Sequence, residues 1–344
     1  MKLIIQIPCF NEEETLPETL GDLPRSVPGI DTVEWLVIDD GSSDRTIDVA
    51  RAGGVDHIVR FTTNKGLAAG FQAGLDAALK LGADVIVNTD ADNQYNGADI
   101  ERLVAPIVAG EADMVVGDRQ IDTIEHFSFL KKRLQHLGSW VVRQASNTEV
   151  ADTTSGFRAY NREAALALIV VSRFTYTLET IIQAGNQDIA VTDVAIGTNP
   201  KTRESRLFPS MWSYVRRNAL SIFRIYSQYH PLKVFWTLAL ILGIGALFLF
   251  SRFTFFWIQD PEDAKGHIQS LILGAVLFNT AALMAALGVI GDLLHAQRVI
   301  SMRTLDRVRR MELKLGVEPS HYHSEHEGTP PTATLEPEPE RIER

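Results

Sequence analysis

Through about the first 120 positions, short apolar runs rich in β-branched residues alternate with stretches whose apolar positions recur every three or four residues. The runs Lys2–Ile7, Glu34–Ile38, His57–Phe61, Asp84–Val87 and Asp113–Val116 predict strands. Between them, Glu12–Leu23, Asp44–Ala52, Leu67–Leu81 and Ala98–Ala109 carry the helical period. Strands apolar on both faces and separated by helices imply an α/β fold, a parallel sheet covered on each side. In such sheets ligands bind at the carboxyl ends of the strands. Four polar segments fall there: Pro8-Cys-Phe-Asn11, Asp39-Asp-Gly-Ser42, Asp90-Ala-Asp92 and Gly117-Asp-Arg119.

Further along, the pattern becomes uniformly apolar. Val234 to Phe250 gives 17 consecutive uncharged residues and Ile268 to Gly291 gives 24, against about 20 for a membrane-spanning helix. Leu232 and the aromatic cluster Phe253-Thr-Phe-Phe-Trp257 extend the first run and suit an interfacial end. Two transmembrane helices are therefore expected over 232–294, joined by a short loop at 251–267; a pair of buried core helices is the competing reading. Arg216, Arg217, Arg224 and Lys233 precede the first span, and Arg298, Arg303, Arg307, Arg309 and Arg310 follow the second. The loop between carries Asp260, Glu262 and Asp263 beside Arg252 and Lys265. By the positive-inside rule, the amino-terminal domain (1–209) and the carboxyl terminus are cytoplasmic and only the loop faces out. Residues 210–231 mix Trp212, Tyr214, Ile222 and Phe223 with arginines, as an amphipathic juxtamembrane helix does beside anionic lipid. A basic helix is expected over 295–316. Residues 317–344, with Glu336-Pro-Glu-Pro-Glu340, have the composition of a disordered tail, and His321, His323 and His326 within it are not read as a metal site.

Charge and composition narrow the function. A net charge of −10 over 344 residues argues against a nucleic-acid surface, which needs a basic face. The single cysteine, Cys9, leaves no intrachain disulfide and no cysteine-based zinc site, which fits a cytosolic setting for the bulk of the chain. Met1 to Pro8 reads as a first strand rather than a signal peptide. Neither GxGxxG nor GxxxxGK occurs, and Gly66, Gly70 and Gly74 read as close-packing positions rather than phosphate contacts.

The segment after the fourth strand holds the chemistry. Asp90, Asp92 and Gln94 stand at alternate positions and can converge on one ion if the chain turns there; their hard oxygens suit Mg²⁺ or Mn²⁺. Counting Asp90 as the first position of an EF-hand loop places Glu101 at the twelfth. Tyr95 then stands where that loop needs glycine, and a strand rather than a helix precedes it.

Seven segments, in order, carry a resemblance: Ile7-Pro-Cys-Phe-Asn-Glu12, Val37-Ile-Asp-Asp-Gly-Ser42, Asn64-Lys-Gly66, Asp90-Ala-Asp-Asn-Gln94, Gly117-Asp-Arg119, Ser155-Gly-Phe-Arg158 and Arg203-Glu-Ser-Arg-Leu207. Over about 210 residues the chain resembles the family 2 glycosyltransferases of the GT-A fold. Within them it is similar to the polyprenyl-phosphate glycosyltransferases, a group that includes dolichol-phosphate mannose synthase and the GtrB-type enzymes. The two apolar runs match the GtrB-type anchor. The resemblance implies a Rossmann-like, mostly parallel catalytic sheet. It also implies that Pro8, Phe10, Glu12, Asp39, Asp40, Lys65, Gly66, Asp90 and Ala91 hold the nucleotide, and that Asp90, Asp92 and Gln94 hold Mg²⁺ or Mn²⁺ on its diphosphate. Arg119, Arg133, Arg203 and Arg206 are implied as contacts to donor or acceptor phosphate, a task suited to the guanidinium fork. The family more often has Gly-x-Ser-Lys-Leu where Arg203-Glu-Ser-Arg-Leu207 stands, so Glu204 is a departure.

The implied reaction is inverting transfer of a sugar from a UDP- or GDP-linked donor to a polyprenyl phosphate such as undecaprenyl or dolichyl phosphate. A phosphate monoester is largely dianionic at pH 7, so its oxygen needs no strong general base. Asp152, the position of the base in relatives that use hydroxyl acceptors, then serves either to position an arginine or the sugar, or as a structural cap. Transfer to a sugar or lipid hydroxyl remains an alternative, although the Gln/Arg-x-x-Arg-Trp motif and additional spans of processive synthases are missing. A non-catalytic Ca²⁺-binding membrane protein is the alternative of another class. The two-span anchor suggests, by resemblance, a homo-oligomer.

Overall fold

Strand β1 (Lys2–Cys9) can lie at the centre of a sheet because every side chain from Leu3 to Ile7 is fully buried. The computed structural model describes the chain apart from residues 121–138, 141, 144, 145, 147, 172–175, 200–219, 221, 222, 260–265 and 324–344. After β1 come α1 (Leu16–Asp22), β2 (Thr32–Asp39), α2 (Thr46–Ala52), β3 (His57–Arg60), α3 (Leu67–Lys80), β4 (Val85–Asn88), α4 (Ile100–Val108) and β5 (Met114–Asp118). Then follow β6 (Arg158–Asn161), α5 (Arg162–Ala167), α6 (Thr177–Asn186), β7 (Val191–Ala195), α7 (Pro231–Gln259), α8 (Ile268–Leu315) and β8 (Tyr322–His323). The five expected strands and four expected helices of the first 120 residues all form, with ends shifted by a few residues. Helix α1 shifts most, beginning at Leu16 rather than Glu12. Pro17 has no N–H to offer the carbonyl of Glu13, so residues 12–15 form a separate turn closed by Thr15 Oγ1 donating to Glu12.

The sheet order is β7-β5-β6-β4-β1-β2-β3-β8. Strands β4, β1, β2 and β3 are mutually parallel, while β6 runs antiparallel between β4 and β5. Successive side chains of a strand point to opposite faces, and this alternation divides the core in two. Leu3, Ile5 and Ile7 pack with Val37, Val85 and Val87 beneath α1, α2 and α4; Ile4, Leu36, Ile38 and Ile86 pack with Phe71, Leu75 and Ile181 of α3 and α6. Gln6, on the second face, is buried and donates to Asn88 Oδ1 at 2.8 Å. A Cβ at Gly74 would stand 2.4 Å from Gln6 Oε1, so at Gly74 the expected close packing is real.

Helices α7 and α8 are long and apolar enough to cross a membrane. Of their most apolar windows only 6% and 17% is buried, whereas a core helix would be mostly buried. They pack as an antiparallel pair, with Gly274 and Gly288 of α8 beneath Phe250 and Trp236 of α7. Two details differ from the sequence reading. Helix α7 continues to Gln259, past the expected end of the span. The expected basic helix at 295–316 is not separate but the continuation of α8, 48 residues without a break. This extension docks on the globular domain: Arg309 donates to the carbonyls of Leu166 and Leu168 at the end of α5, Arg310 pairs with Glu163, and Lys80 reaches Glu312 at 3.2 Å. Of the juxtamembrane segment, residues 223–229 are helical, and most of the remainder lies outside the described residues.

The tail expectation needs correcting over its first residues. Past Gly316, the chain turns and lays β8 antiparallel on the exposed edge of β3, so residues 317–323 are structured. Composition misses this because a two-residue strand borrows its stability from a sheet edge that needs a partner.

Substituting Gly74→Ala should destabilise the domain by about 1–3 kcal/mol. Gly243→Ala, whose Cβ would meet nothing within 4 Å, should shift stability by less than about 0.5 kcal/mol. Thermal melting of the two variants in detergent checks the contrast.

Candidate active site

Strand β1 has β2 on one side and β4 on the other, so the crevice at the carboxyl ends of β1 and β4 is the topological switch point of the sheet, where ligands bind. The loops at its two lips are Pro8–Glu12 and Asp90–Gln94. The second loop does turn: Asn93 sits at φ 50°, and Gln94 N donates to Asp92 Oδ1 at 3.3 Å. Asp90, Asp92 and Gln94 are all half-buried on this turn. Beneath Asp90 lies Gly156, where a Cβ would stand 3.2 and 3.3 Å from the two carboxylate oxygens and 2.8 Å from the Tyr176 hydroxyl. Asn88 ties this floor to the sheet by donating to Gly156 O and the Tyr176 hydroxyl, each at 2.9 Å.

Tyr95 does more than rule out an EF-hand. Its ring stacks on Phe157 with centroids 5.0 Å apart, and its hydroxyl accepts from Gly156 N at 3.0 Å. Burial, with the charge of Asp90 adding to it, pushes the phenol up to about 12, so it stays protonated at neutral pH. Nothing in its spacing marks this role, which depends on a loop 61 residues later in the chain.

Arg119 follows β5 and meets the loop before β6. Its Nε donates to Asp152 Oδ2 at 2.6 Å, and its Nη2 donates to Asp152 Oδ1 at 3.1 Å and to Thr154 Oγ1 at 2.8 Å. Asp152 is fully buried. Burial pushes its carboxyl up, but the Arg119 charge and the bonds from Arg119 and Thr154 outweigh this and hold it below the ordinary carboxylate value. Asp152 shows contacts of both kinds: it holds Arg119, and its Oδ1 also caps the turn by accepting from Thr154 N at 3.1 Å and Thr154 Oγ1 at 2.9 Å.

Of the residues implied for the nucleotide, Asp90 and Ala91 belong to the Asp90–Gln94 loop and the others lie at the carboxyl ends of β1 and β2 and in the loop before α3. Phe10 is 40% exposed, and Lys65 is exposed with its Nζ 4.1 Å above the Phe61 ring. Glu12 is buried, its backbone N–H donating to Thr46 Oγ1. Ala91 is buried and its carbonyl accepts from Thr19 Oγ1. Pro8 is half-buried at the end of β1. Asp40 accepts from the N–H groups of Lys65 and Gly66, the latter at φ 94°, and so fixes that loop; burial nevertheless raises its carboxyl. Asp39 accepts from Ser42 N, while its buried Oδ2 faces Arg60 Nε at 3.4 Å and accepts no hydrogen bond. Arg60 was not singled out in the sequence, although a cation at the end of a rim strand beside Asp39 was a usable signal. Arg133, Arg203 and Arg206 lie outside the described residues. Asn199, just before the segment that holds Arg203 and Arg206, donates its N–H to Gln94 O and its side-chain amide to Asn93 O.

Among the described residues no three His, Cys, Asp or Glu side chains converge on one point, so the loop offers a metal two carboxylates and the Gln94 amide. This set fits Mg²⁺ or Mn²⁺ shared with a diphosphate, since such ions commonly use one or two carboxylates and take their other oxygens from substrate phosphates and water. It does not fit a protein-only Ca²⁺ cage of about six to eight oxygens.

The comparisons with known proteins agree with this architecture. The model of glycosyl transferase family 2 matches residues 4–168. An undecaprenyl-phosphate mannosyltransferase of Micrococcus luteus is 33% identical over 174 residues, 49% of this chain and 70% of its own length. A polyprenol monophosphomannose synthase of Mycolicibacterium smegmatis is 29% identical, covering 57% of this chain and 76% of that protein. Among solved structures, glucosyl-3-phosphoglycerate synthase from Mycobacterium tuberculosis in complex with UDP superposes with a TM-score of 0.53 at 20% identity, over 66% of this chain and 80% of that one. The fold is that of the GT-A enzymes, and the chain belongs to glycosyl transferase family 2.

The Asp152 carboxyl titrates below its unfolded value, so the stability it contributes is present above pH 3.8 and is lost as pH falls below that through its folded value. Asp152→Asn should lower stability at pH 7 by about 1–3 kcal/mol and flatten this acid limb. Melting curves between pH 3 and 7 for the two proteins read both effects.

Proposed function

We propose that this chain transfers a sugar from a nucleoside-diphosphate sugar to a polyprenyl phosphate, with inversion, on the cytoplasmic side of a membrane. The observation that carries this reading is the engagement of Asp152. A carboxylate bonded twice to a guanidinium and titrating below its ordinary value is a poor general base. An acceptor that arrives already ionised, as a phosphate monoester does, needs none. The named activities of the two curated relatives, on undecaprenyl phosphate and polyprenol phosphate, support the same acceptor class.

In this reading Arg119, oriented by Asp152 and Thr154, presents fixed positive charge at the crevice to a phosphate group. Asp90 and Asp92 would hold Mg²⁺ or Mn²⁺, with Gln94 as a third oxygen; the ion would neutralise charge on the departing diphosphate. Phe10, Asp39, Lys65 and Gly66 hold the nucleoside end of the donor. Arg203 and Arg206 take the acceptor phosphate together with Arg133. Helices α7 and α8 keep the lipid near the crevice. The arginines before α7 and along the extension of α8 favour the cytoplasm for the catalytic domain.

Purified protein supplied with UDP- and GDP-sugars, polyprenyl phosphate and Mg²⁺ or Mn²⁺ should give a lipid-linked sugar labile to mild acid. An acid-stable glycoside would favour a hydroxyl acceptor instead, and no transfer from any donor would overturn the reading. Asp92→Asn should reduce metal-dependent transfer by about 100-fold or more; unchanged activity would mean that the loop does not hold the ion.

A further inference from the structure

The short strand β8 lies outside residues 4–168, the region that matches the family model, yet its start lies against the nucleotide side of the crevice. The register pairs Val59 with Tyr322 and Ile58 with His323, so the rim end of β3 meets the start of β8. There Arg60 N donates to His321 O at 3.0 Å. The His321 ring stands edge-on to Phe61, with centroids 5.5 Å apart and planes at 88°. Lys65 Nζ sits over the same Phe61 ring. Phe61 N in turn donates to Asp39 O at 2.9 Å, and Arg60 reaches the Asp39 carboxylate. One link thus joins His321 to two residues of the implied nucleotide lip, Lys65 and Asp39.

The attachment is built, not incidental. The Tyr322 hydroxyl lies 2.9 Å from His57 Nδ1, and His57 Nε2 lies 2.7 Å from Glu34, so the strand is pinned by side chains as well as by its backbone. His321 takes φ 61°, a left-handed conformation uncommon for residues other than glycine but one that histidine adopts more readily than most. The segment is delivered by α8, whose extension is fastened to α3 and α5 through Lys80–Glu312, Arg309 and Arg310–Glu163. The continuation of the membrane anchor therefore closes the outer edge of the nucleotide lip.

We propose that His321, held by the β8 clasp, is a positioning residue for the donor nucleotide, fixing Phe61 and through it Lys65 and the Asp39–Arg60 pair. The inference rests on the functional reading above. It makes the carboxyl-terminal segment part of the donor site, although no metal or acceptor contact is assigned to it.

The test measures binding of UDP and GDP to the full chain in detergent with Mn²⁺, by calorimetry, together with KM and kcat for the active donor. His321→Ala should weaken the preferred nucleotide about fivefold, the loss expected from removing one aromatic edge contact. The same variant should raise KM for the donor and leave kcat within about twofold. His321→Phe, which keeps an aromatic edge on Phe61, should restore affinity. Truncation after Gly316 should match or exceed the loss in His321→Ala. If the truncated chain melts early, the point variants, which leave the strand backbone in place, decide alone. Equal affinity in wild type and His321→Ala would overturn this inference and leave the functional reading intact. Failure of the intact chain to bind either nucleotide would overturn both.

Discussion

A guanidinium with no exposed surface organises the floor of the crevice. Arg158 opens β6 and is fully buried, and its side chain donates four hydrogen bonds: to Thr153 O, Ser155 O, Thr177 O and Thr180 Oγ1. None of these partners is a carboxylate, so the charge is held by carbonyl and hydroxyl dipoles alone, an arrangement tolerable only if every bond is kept. Two of the carbonyls belong to the loop that carries Asp152, Thr154 and Gly156. With that loop fixed, Asp152 orients Arg119 and Gly156 leaves room for the Asp90 carboxylate. Antiparallel β6, wedged between β4 and β5, is what places this loop between the two rim segments.

The second constraint is the attachment of the anchor. Helix α8, long and apolar enough in its first part to cross a membrane, continues as a docked helix with ion pairs and a half-buried Arg309 at the end of α5. Arg298 adds a contact higher up, 4.9 Å over the Tyr229 ring and 3.9 Å from the buried Glu179 of α6. Burial lowers the Arg309 guanidinium while Asp76, Glu312 and Asp306 oppose the shift. The catalytic domain is therefore fastened by side-chain contacts to the continuation of α8. Its orientation relative to α7 and α8 is fixed by side chains on α3, α5 and α6.

Much of this was readable in the chain. Short β-branched apolar runs and the 3.6-residue period located the strands and helices of the first half because each element buries one or both faces. The Asp90-Ala-Asp92 loop was legible as a hard-oxygen site at a strand end, and Arg119 as a rim cation. Tyr95, Asn88 and Arg60 were not assigned roles. Their functions come from partners between about 21 and 88 residues away, Asp39, Gly156 and Tyr176, and spacing carries no record of such partners. Asp152 was left between two roles for the same reason.

The sequence by itself determined the α/β class, the two helices long and apolar enough to cross a membrane, and the family, because these depend on local periodicity, run length and ordered motifs. The tertiary structure decided the insertion of β6 against the parallel strands, the pairing of Asp152 with Arg119, and the fate of residues 317–323. Each of these is a long-range choice: a short strand or a single carboxylate takes whichever distant partner satisfies its hydrogen bonds, and only the folded chain brings that partner within reach.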